Sequence, residues 1–445
     1  MQLPLSAKRR TGGILRKPQP QLHSPAMRWL IDAVYLAVAL ITSPVWLVRM
    51  IRTGKIKTDW RGRLGHTARI AGAGSGRILV HTVSVGEVNA VELLLSRLAE
   101  SIGTHQIIVS TTTDTGFARA TSLYGRRFHV VRYPFDLSVC VERFLDAVRP
   151  DVVACFELEL WPNFVRSCSR RGIGVCVING RLSERSFRRY RLIRPLIRGL
   201  FGQVAFVAVQ NEPYAARFRQ LGVSPAQVHV TGTMKWDAAQ ITDDVEGSDE
   251  LAAALGIDRA RPLVVAGSTA PGEHELLVQA VGDDVQLLCA PRKPEWFDQA
   301  AAAMPGCARR SRGDHGSLTG RFLLDTIGEL QQAYALADVV VVGRSFGALY
   351  GSNVTEPVAL GKATIVGPAV GDFQDTVDAL VAGEAIVQTT RQDLAKTVRD
   401  LLDDPQRRRA LAENGRAVIR SHQGATDRNV KRLVSLLAEV SKARP

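Results

Sequence analysis

The hydrophobic rhythm of the chain changes three times. Residues 1–28 are polar and rich in Pro, Arg and Lys, without the period of a helix or strand, and are expected to be a disordered basic tail. Trp29 to Val48 then reads WLIDAVYLAVALITSPVWLV, twenty residues with one carboxylate. As a helix this run is about 30 Å long, the depth of the hydrocarbon core of a bilayer. Asp32, near its start, is placed to reach the interface, Pro44 to kink it, and Trp29, Tyr35 and Trp46 are interfacial aromatics. The run has no small-residue cleavage site, and Arg49, Arg52, Lys55 and Lys57 follow at once, which argues against a signal peptide. The alternatives are a membrane anchor and a buried helix of a soluble domain. The charges that follow favour an anchor with the rest of the chain on the cytoplasmic side. On that reading the folded part begins only near Arg77, and removing residues 1–50 is expected to spare it.

From Arg77 onward, short apolar runs alternate with helical stretches. Strands are expected at Ile78–Val83, Gln106–Thr111, Phe128–Arg132, Val152–Phe156, Gly174–Ile178, Val204–Val209 and Gln227–Thr231. Helices fit Val88–Ala99, Val139–Val148 and Arg185–Phe201. The alternation restarts with strands at Pro262–Ala266, Val285–Ala290, Phe322–Leu324, Val339–Val342 and Ala363–Val366. Near-continuous apolar strands between helices predict α/β domains, each a parallel sheet covered on both faces. The expected organisation is a tail (1–28), an anchor with a basic flank (29–63), a first domain (64–237), a polar linker (238–261), a second domain (262–425) and a C-terminal helix (426–445).

The length, 445 residues with 46% hydrophobic and 22% charged, fits two or three globular domains and excludes a polytopic membrane protein. Residues 1–63 hold twelve Lys and Arg against Asp32 and Asp59, a net +10 out of +14 for the chain. Basicity confined to the N-terminus points to anionic lipid, not nucleic acid. The six cysteines have no CxxC spacing, so neither zinc nor a redox pair is expected. Cys155 and Cys176 read as small core residues.

In a doubly wound sheet, ligands sit outside the carboxyl ends of the strands. Glu87 follows the first strand, in Ser84-Val85-Gly86-Glu87. It reads either as a base for a sugar hydroxyl or as a first-turn glutamate meeting the helix dipole. Glu157 and Glu159 follow Val152–Phe156, either as an ion-paired structural couple or as part of a site. Arg181, in Asn179-Gly180-Arg181-Leu182-Ser183, is a candidate anion ligand, and Ser183 a candidate cap. Lys235 closes the first half, at the cleft or in solvent. In the second half, Pro291-Arg292-Lys293 follows one strand, and Gly343-Arg344-Ser345-Phe346-Gly347 leads from another to Asn353-Val354-Thr355-Glu356. Backbone N–H groups there can hold a phosphate. Neither a Walker loop nor a GxGxxG turn is present. His81 and His274 are isolated and read as structural. Asp136 and Asp325 each stand alone, so no metal site is expected.

Taken together, these stretches resemble the 3-deoxy-D-manno-octulosonic acid (Kdo) transferases, inverting glycosyltransferases of GT-B fold in lipid A biosynthesis. The resemblance runs over roughly residues 28–440. It rests on Val83–Glu87, Ser110–Thr113, Tyr133–Asp136, Glu159–Asn163, Asn179–Ser183, Gly232 with Lys235 and Asp237, Pro291-Arg292, Asp325–Leu330, and Asn353 with Glu356-Pro357. It implies two Rossmann-like domains facing a cleft, with Glu87 as base and Glu157 and Lys235 stabilising the transition state. Pro291, Arg292, Ile327, Gly328, Glu329, Asn353, Val354, Thr355 and Glu356 would bind cytidine monophosphate (CMP). The implied donor is CMP-Kdo, the acceptor a lipid A precursor at the cytoplasmic face of the inner membrane, and no cofactor or metal is needed. A GT-B enzyme using another nucleotide sugar and a non-catalytic nucleotide-binding protein are the competing readings. The chain departs from the family at Arg344, where glycine is usual, and at Tyr350-Gly351-Ser352 in place of Gly-Gly-His. It also has Lys293 for a frequent His and Thr233 for Asn. Arg344 or Lys293 would then replace the missing phosphate contacts.

Overall fold

The computed structural model describes residues 25–52, 58–71 and 76–443. The expected tail at 1–24, along with Lys55 and Lys57, lies outside them. The chain forms two compact units, one of residues 1–237 with 424–445 and one of residues 238–423.

The first unit is built on seven parallel strands: β1 (Ile78–Thr82), β2 (Ile107–Thr111), β3 (His129–Arg132), β4 (Val152–Phe156), β5 (Gly174–Gly180), β6 (Phe206–Val209) and β7 (Val228–Val230). Their order is β3-β2-β1-β4-β5-β6-β7. The winding reverses between β1 and β4, which pair directly, with Leu79 opposite Val153. Alternate residues serve opposite faces. Ile78 and Val80 pack into one core with Val152 and Ala154, while Leu79 joins Val153 and Cys155 in the core on the other side. Burial on both faces is why these strands read as unbroken apolar runs. His81 on β1 is fully buried, bonded to Ser110 Oγ at 3.0 Å and stacked 3.8 Å from Tyr133. Burial pulls its pKa down to about 3, so it is a neutral core residue. All six cysteines are free thiols, and Cys155 and Cys176 are buried.

The second unit has β8 (Leu263–Thr269), β9 (Gln286–Pro291), β10 (Ala308–Arg309), β11 (Arg321–Leu323), β12 (Val339–Val342), β13 (Ala363–Val366) and β14 (Val387–Gln388). All are parallel, in the order β10-β11-β9-β8-β12-β13-β14, and the winding reverses between β8 and β12. The sequence pattern does not anticipate β10 and β14, because two residues are too few to show a period.

The structure corrects three boundaries. Residues 238–261 are not a free linker. They carry the helix Ser248–Leu255, whose Leu251, Ala252 and Leu255 are buried. The C-terminal helix, Ala425–Ala443, belongs to the first unit. Its Val430, Leu433 and Leu436 join the core beneath β1 and β4. Asp237 holds its start, accepting from the N–H groups of Gly424 at 2.6 Å and Thr426 at 2.5 Å. The stretch 185–201 is two helices, Glu184–Leu192 and Arg194–Phe201, with Pro195 in the first turn of the second.

The apolar run lies in the helix Pro25–Arg52, which begins four residues before Trp29, inside the expected tail of 1–28. Its mean hydropathy is 1.9 over the apolar window, and little of it is covered by protein. Asp32 does not reach toward the interface. It is buried and accepts from the Ser138 N–H at 2.9 Å, from the Ser138 hydroxyl and from the Asn163 side-chain amide at 2.8 Å. Asp136 does not stand alone either. It lies beside Asp32 and accepts from Tyr35 Oη at 2.9 Å and the N–H groups of Asn163 and Phe164 at 3.0 and 2.8 Å. The two carboxylates therefore cap the helices Ser138–Val148 and Pro162–Arg170, whose first N–H groups have no intrahelical partner. Burial pushes Asp136 up to about 7. This helix is thus fastened into the first unit, so removing residues 1–50 takes a buried cap away with it. Asp32→Ala leaves three donors without their acceptor and should cost about 1–3 kcal/mol, read from urea unfolding in detergent micelles. An unchanged midpoint would mean that these donors find other acceptors.

Candidate active site

In the first unit, β1 and β4 deliver carboxylates to the two sides of the point where the winding reverses. After β1, Ser84 caps the short helix Val85–Ala90, and its Oγ accepts from the Glu87 N–H at 3.4 Å. The Glu87 carboxylate accepts in turn from the Val83 N–H at 2.8 Å and the Ser84 hydroxyl at 3.1 Å. This resembles a capping box, with the Val83 N–H in place of that of the Ser84 cap, and ties the Glu87 carboxylate to the start of its own helix. The same carboxylate also lines a pocket of about 170 Å³ with Glu157, Glu159, Arg181, Ser186 and Tyr190. The two readings are compatible, because the cap fixes the direction in which the carboxylate points.

Glu157 has φ +61°, a left-handed conformation that costs a non-glycine residue about 1–3 kcal/mol and clusters at functional sites. Glu159 accepts from Trp161 Nε1 at 2.9 Å. Burial, then the charges of Glu157 and Glu159, raises the Glu87 pKa against the pull of the Val83 and Ser84 donors. Burial and Glu157 raise Glu159 likewise. Glu157 and Glu159 thus line one pocket together with Arg181. Tyr190 was not foreseen. The signal was its helical spacing from Ser186, four residues earlier, which puts both on one face. Lys235 is exposed after β7 and is not among the described residues that line this pocket.

In the second unit, the loops after β8 and β12 meet over Glu273, which is 2% exposed. Its carboxylate accepts from the N–H groups of Ala270, Arg344, Ser345 and Phe346 at 2.8–3.0 Å. The sequence places Gly272-Glu273 just after a strand and at a helix start, but gives Glu273 no role there. Glu273 uses the N–H groups of the glycine loop that were candidates for phosphate. A Cβ at Gly343 would lie 2.6 Å from the Thr269 Cα and 2.8 Å from the Ser268 carbonyl, so only glycine fits.

The other sequence candidates in this unit divide. Arg292 is exposed beyond β9 and its charge acts on half-buried Glu356, whose pKa burial raises and Arg292 lowers. Pro291 ends β9 and is buried. Asn353 Oδ1 accepts from the Thr355 N–H at 3.1 Å and its hydroxyl at 2.8 Å, while Val354 is buried. The helix that follows, Thr355–Ala359, is short. Ile327 is 73% exposed, Gly328 has φ +108°, and Glu329 pairs with Arg310 at 2.9 Å. Asp325 is held by Arg309 at 2.7 Å and by Ser311. Among the described residues, no cluster of three or more His, Cys, Asp and Glu is placed to hold a metal.

Residues 58–238 match the family model of 3-deoxy-D-manno-octulosonic-acid transferase (kdotransferase), and residues 321–418 match that of glycosyl transferases group 1. The 3-deoxy-D-manno-octulosonic acid transferase of Bordetella pertussis is 30% identical over 426 residues, covering 89% of this chain and 97% of that one. The chain belongs to the Kdo transferase family. The Haemophilus influenzae transferase is 30% identical over 373 residues, 81% of this chain and 86% of that one. Among solved structures, HepE of Anabaena in complex with UDP is 15% identical with a TM-score of 0.52, over 82% of this chain and 98% of that one. A glycosyltransferase of Rickettsia africae is 12% identical with a TM-score of 0.55, over 83% and 100%. These two share the fold, which is GT-B.

Arg344 has φ +59°, the left-handed conformation that a glycine, expected here from the family resemblance, adopts freely. Lys293 is engaged by Glu295 at 3.1 Å and lies over the Trp296 ring. Two neighbouring substitutions should therefore differ. Gly343→Ala should destabilise the second unit by about 1–3 kcal/mol through overpacking. Arg344→Gly should change it by under about 1 kcal/mol, since relief of strain offsets the added chain entropy. Denaturant unfolding of both variants decides, and equal losses would contradict the backbone argument.

Proposed function

We propose that this protein transfers Kdo from CMP-Kdo to a hydroxyl of a phosphorylated, acylated glucosamine lipid, the lipid A precursor, at the cytoplasmic face of the inner membrane. The observation that carries the reading is the Glu87 pocket at the winding reversal of the first sheet, in a chain of this family. The acceptor hydroxyl gives its proton to the Glu87 carboxylate as its oxygen bonds to the anomeric carbon. The bond from that carbon to the phosphate oxygen breaks, and CMP leaves with the electron pair. The configuration inverts. The bonds from Val83 and Ser84 hold the carboxylate still, and the raised pKa makes it a stronger base than a solvated glutamate.

Glu157 and Lys235 take the transition-state roles, and CMP binds through Pro291, Arg292, Ile327, Gly328, Glu329 and Asn353–Glu356. Arg292 beside Glu356 supports this, since a phosphate and a ribose need a cation and an acceptor close together. The leaving group spreads its charge over one phosphate, which fixed cations and N–H donors can meet without a divalent ion. Two features support a membrane setting. One is the apolar helix Pro25–Arg52. The other is exposed Leu192, Ile193 and Leu196 among Arg188, Arg189, Arg191 and Arg194, on the helices that also bring Ser186 and Tyr190 to the pocket. Apolar side chains ringed by arginine suit an anionic lipid surface.

Glu87→Gln should lower transfer by about 10²–10⁴-fold while CMP binding persists, with mass spectrometry of the lipid product as the readout. Loss of the base is also visible in the pH profile. An ionised base is needed, so activity falls as pH drops through the raised Glu87 pKa, above the ordinary glutamate range. Glu157→Gln removes a repelling charge and should move that acid limb to lower pH, whatever it does to the plateau. A limb that stays put would remove Glu87 as the titrating base. Transfer should also persist in excess EDTA, and activity that EDTA abolishes and Mg²⁺ restores would sink the metal-free mechanism.

A further inference from the structure

A second cavity of the first unit lies along the anchor helix, with a volume of about 660 Å³ and an open side. Tyr35, Ala39, Trp46 and Met50 form the helix wall, at spacings of four, seven and four that keep them on one face. Trp60, Leu64, Phe135 and Trp161 form the opposite wall. The polar groups that line it are already paired. Tyr35 donates to Asp136 at 2.9 Å, and Thr58 and Arg63 reach Asp114 at 2.6 and 3.4 Å. The remaining surface is apolar and offers nothing to a polar solute, while its size falls within the range of about 300–1,000 Å³ for small-molecule sites.

The setting narrows the occupant. The other faces of the anchor helix carry Leu40, Ile41 and Val45, each about three-quarters exposed (75%, 77% and 74%), as side chains in lipid would be. A groove beside them opens to hydrocarbon chains. One hydrogen bond links its wall to the carboxylate pocket. The Trp161 ring lines the groove, its Nε1 bonds to Glu159, and Glu159 lines the pocket with Glu87. A ligand that fills both has a hydroxyl-bearing head and an acyl chain. Bulk phospholipid has the chain but no sugar hydroxyl for Glu87.

We infer that the groove between the anchor helix and Trp60, Leu64, Phe135 and Trp161 holds an acyl chain of the acceptor glycolipid, so that the anchor is one wall of the acceptor site. This rests on the proposed transfer to an acylated glucosamine. The test uses the full-length protein in vesicles. They contain either a phosphorylated glucosamine disaccharide with a diazirine-bearing acyl chain or phosphatidylcholine with the same chain. After irradiation, the disaccharide lipid should label Leu36, Leu64 and Phe135 about tenfold more than phosphatidylcholine does, and Ala39→Trp, which fills the groove, should remove that excess. Equal labelling by the two lipids would make this a phospholipid site and overturn the inference. Label confined to Leu40, Ile41 and Val45 would overturn it too. Kdo transfer to the same disaccharide lipid, measured alongside, reads the proposed function separately. Turnover with an unlabelled groove sinks the acyl site and leaves the transfer reading standing.

Discussion

Parallel strands cannot be joined by hairpins. Each must be followed by a crossover, and that puts the carboxyl ends of all seven strands of a sheet on one edge. The rest of this protein follows from that constraint. Wherever the winding reverses, two crossovers leave in opposite directions and a crevice opens between their first turns. The first unit reverses between β1 and β4, the second between β8 and β12. Glu87 and Glu157 stand at the first of these points. Glu273 and the Gly343–Phe346 loop stand at the second. These carboxylates and this loop stand in turns that the topology was bound to leave open.

Buried carboxylates hold those turns. A carboxylate taken out of water must find donors, and the first turn of a helix has free N–H groups. Asp32 and Asp136 meet the helices Ser138–Val148 and Pro162–Arg170. Asp237 meets the helix Ala425–Ala443, and Glu273 meets the loop after β12. Asp151 accepts from the N–H groups of Gly76 and Arg77 where β1 begins. Each bond joins segments far apart in sequence. Asp136 and Asp237, both in motifs that carry the family resemblance, therefore hold helix starts in the first unit. Glu87 caps its own helix and also faces the pocket.

The anchor helix takes its place in this scheme through Asp32 and Tyr35. A helix that only tethered an enzyme to a bilayer would need no polar contact with it. Here a carboxylate from the apolar segment is buried against two helix ends of the folded unit, and one face of the segment forms a wall of an apolar groove.

The sequence by itself determined what depends on local order. Among the described residues, twelve of fourteen strands and the two α/β halves were legible because burial on both faces leaves unbroken apolar runs. The positions of Glu87, Glu157 and Arg292 just after strands were legible for the same reason. Tertiary structure decided what depends on partners distant in the chain. Residues 238–261 pack instead of linking, since Leu251 and Leu255 find a core, and Ala425–Ala443 returns to the first unit because its apolar stripe fits beneath β1 and β4. Asp32 turns inward because Ser138 and Asn163, more than a hundred residues away, supply its donors. Glu273 gives no local sign of its four N–H partners, three of which lie over seventy residues further on. Periodicity records which side of an element is buried. It does not record what that side is buried against, and a buried charge is stable or costly according to that partner alone.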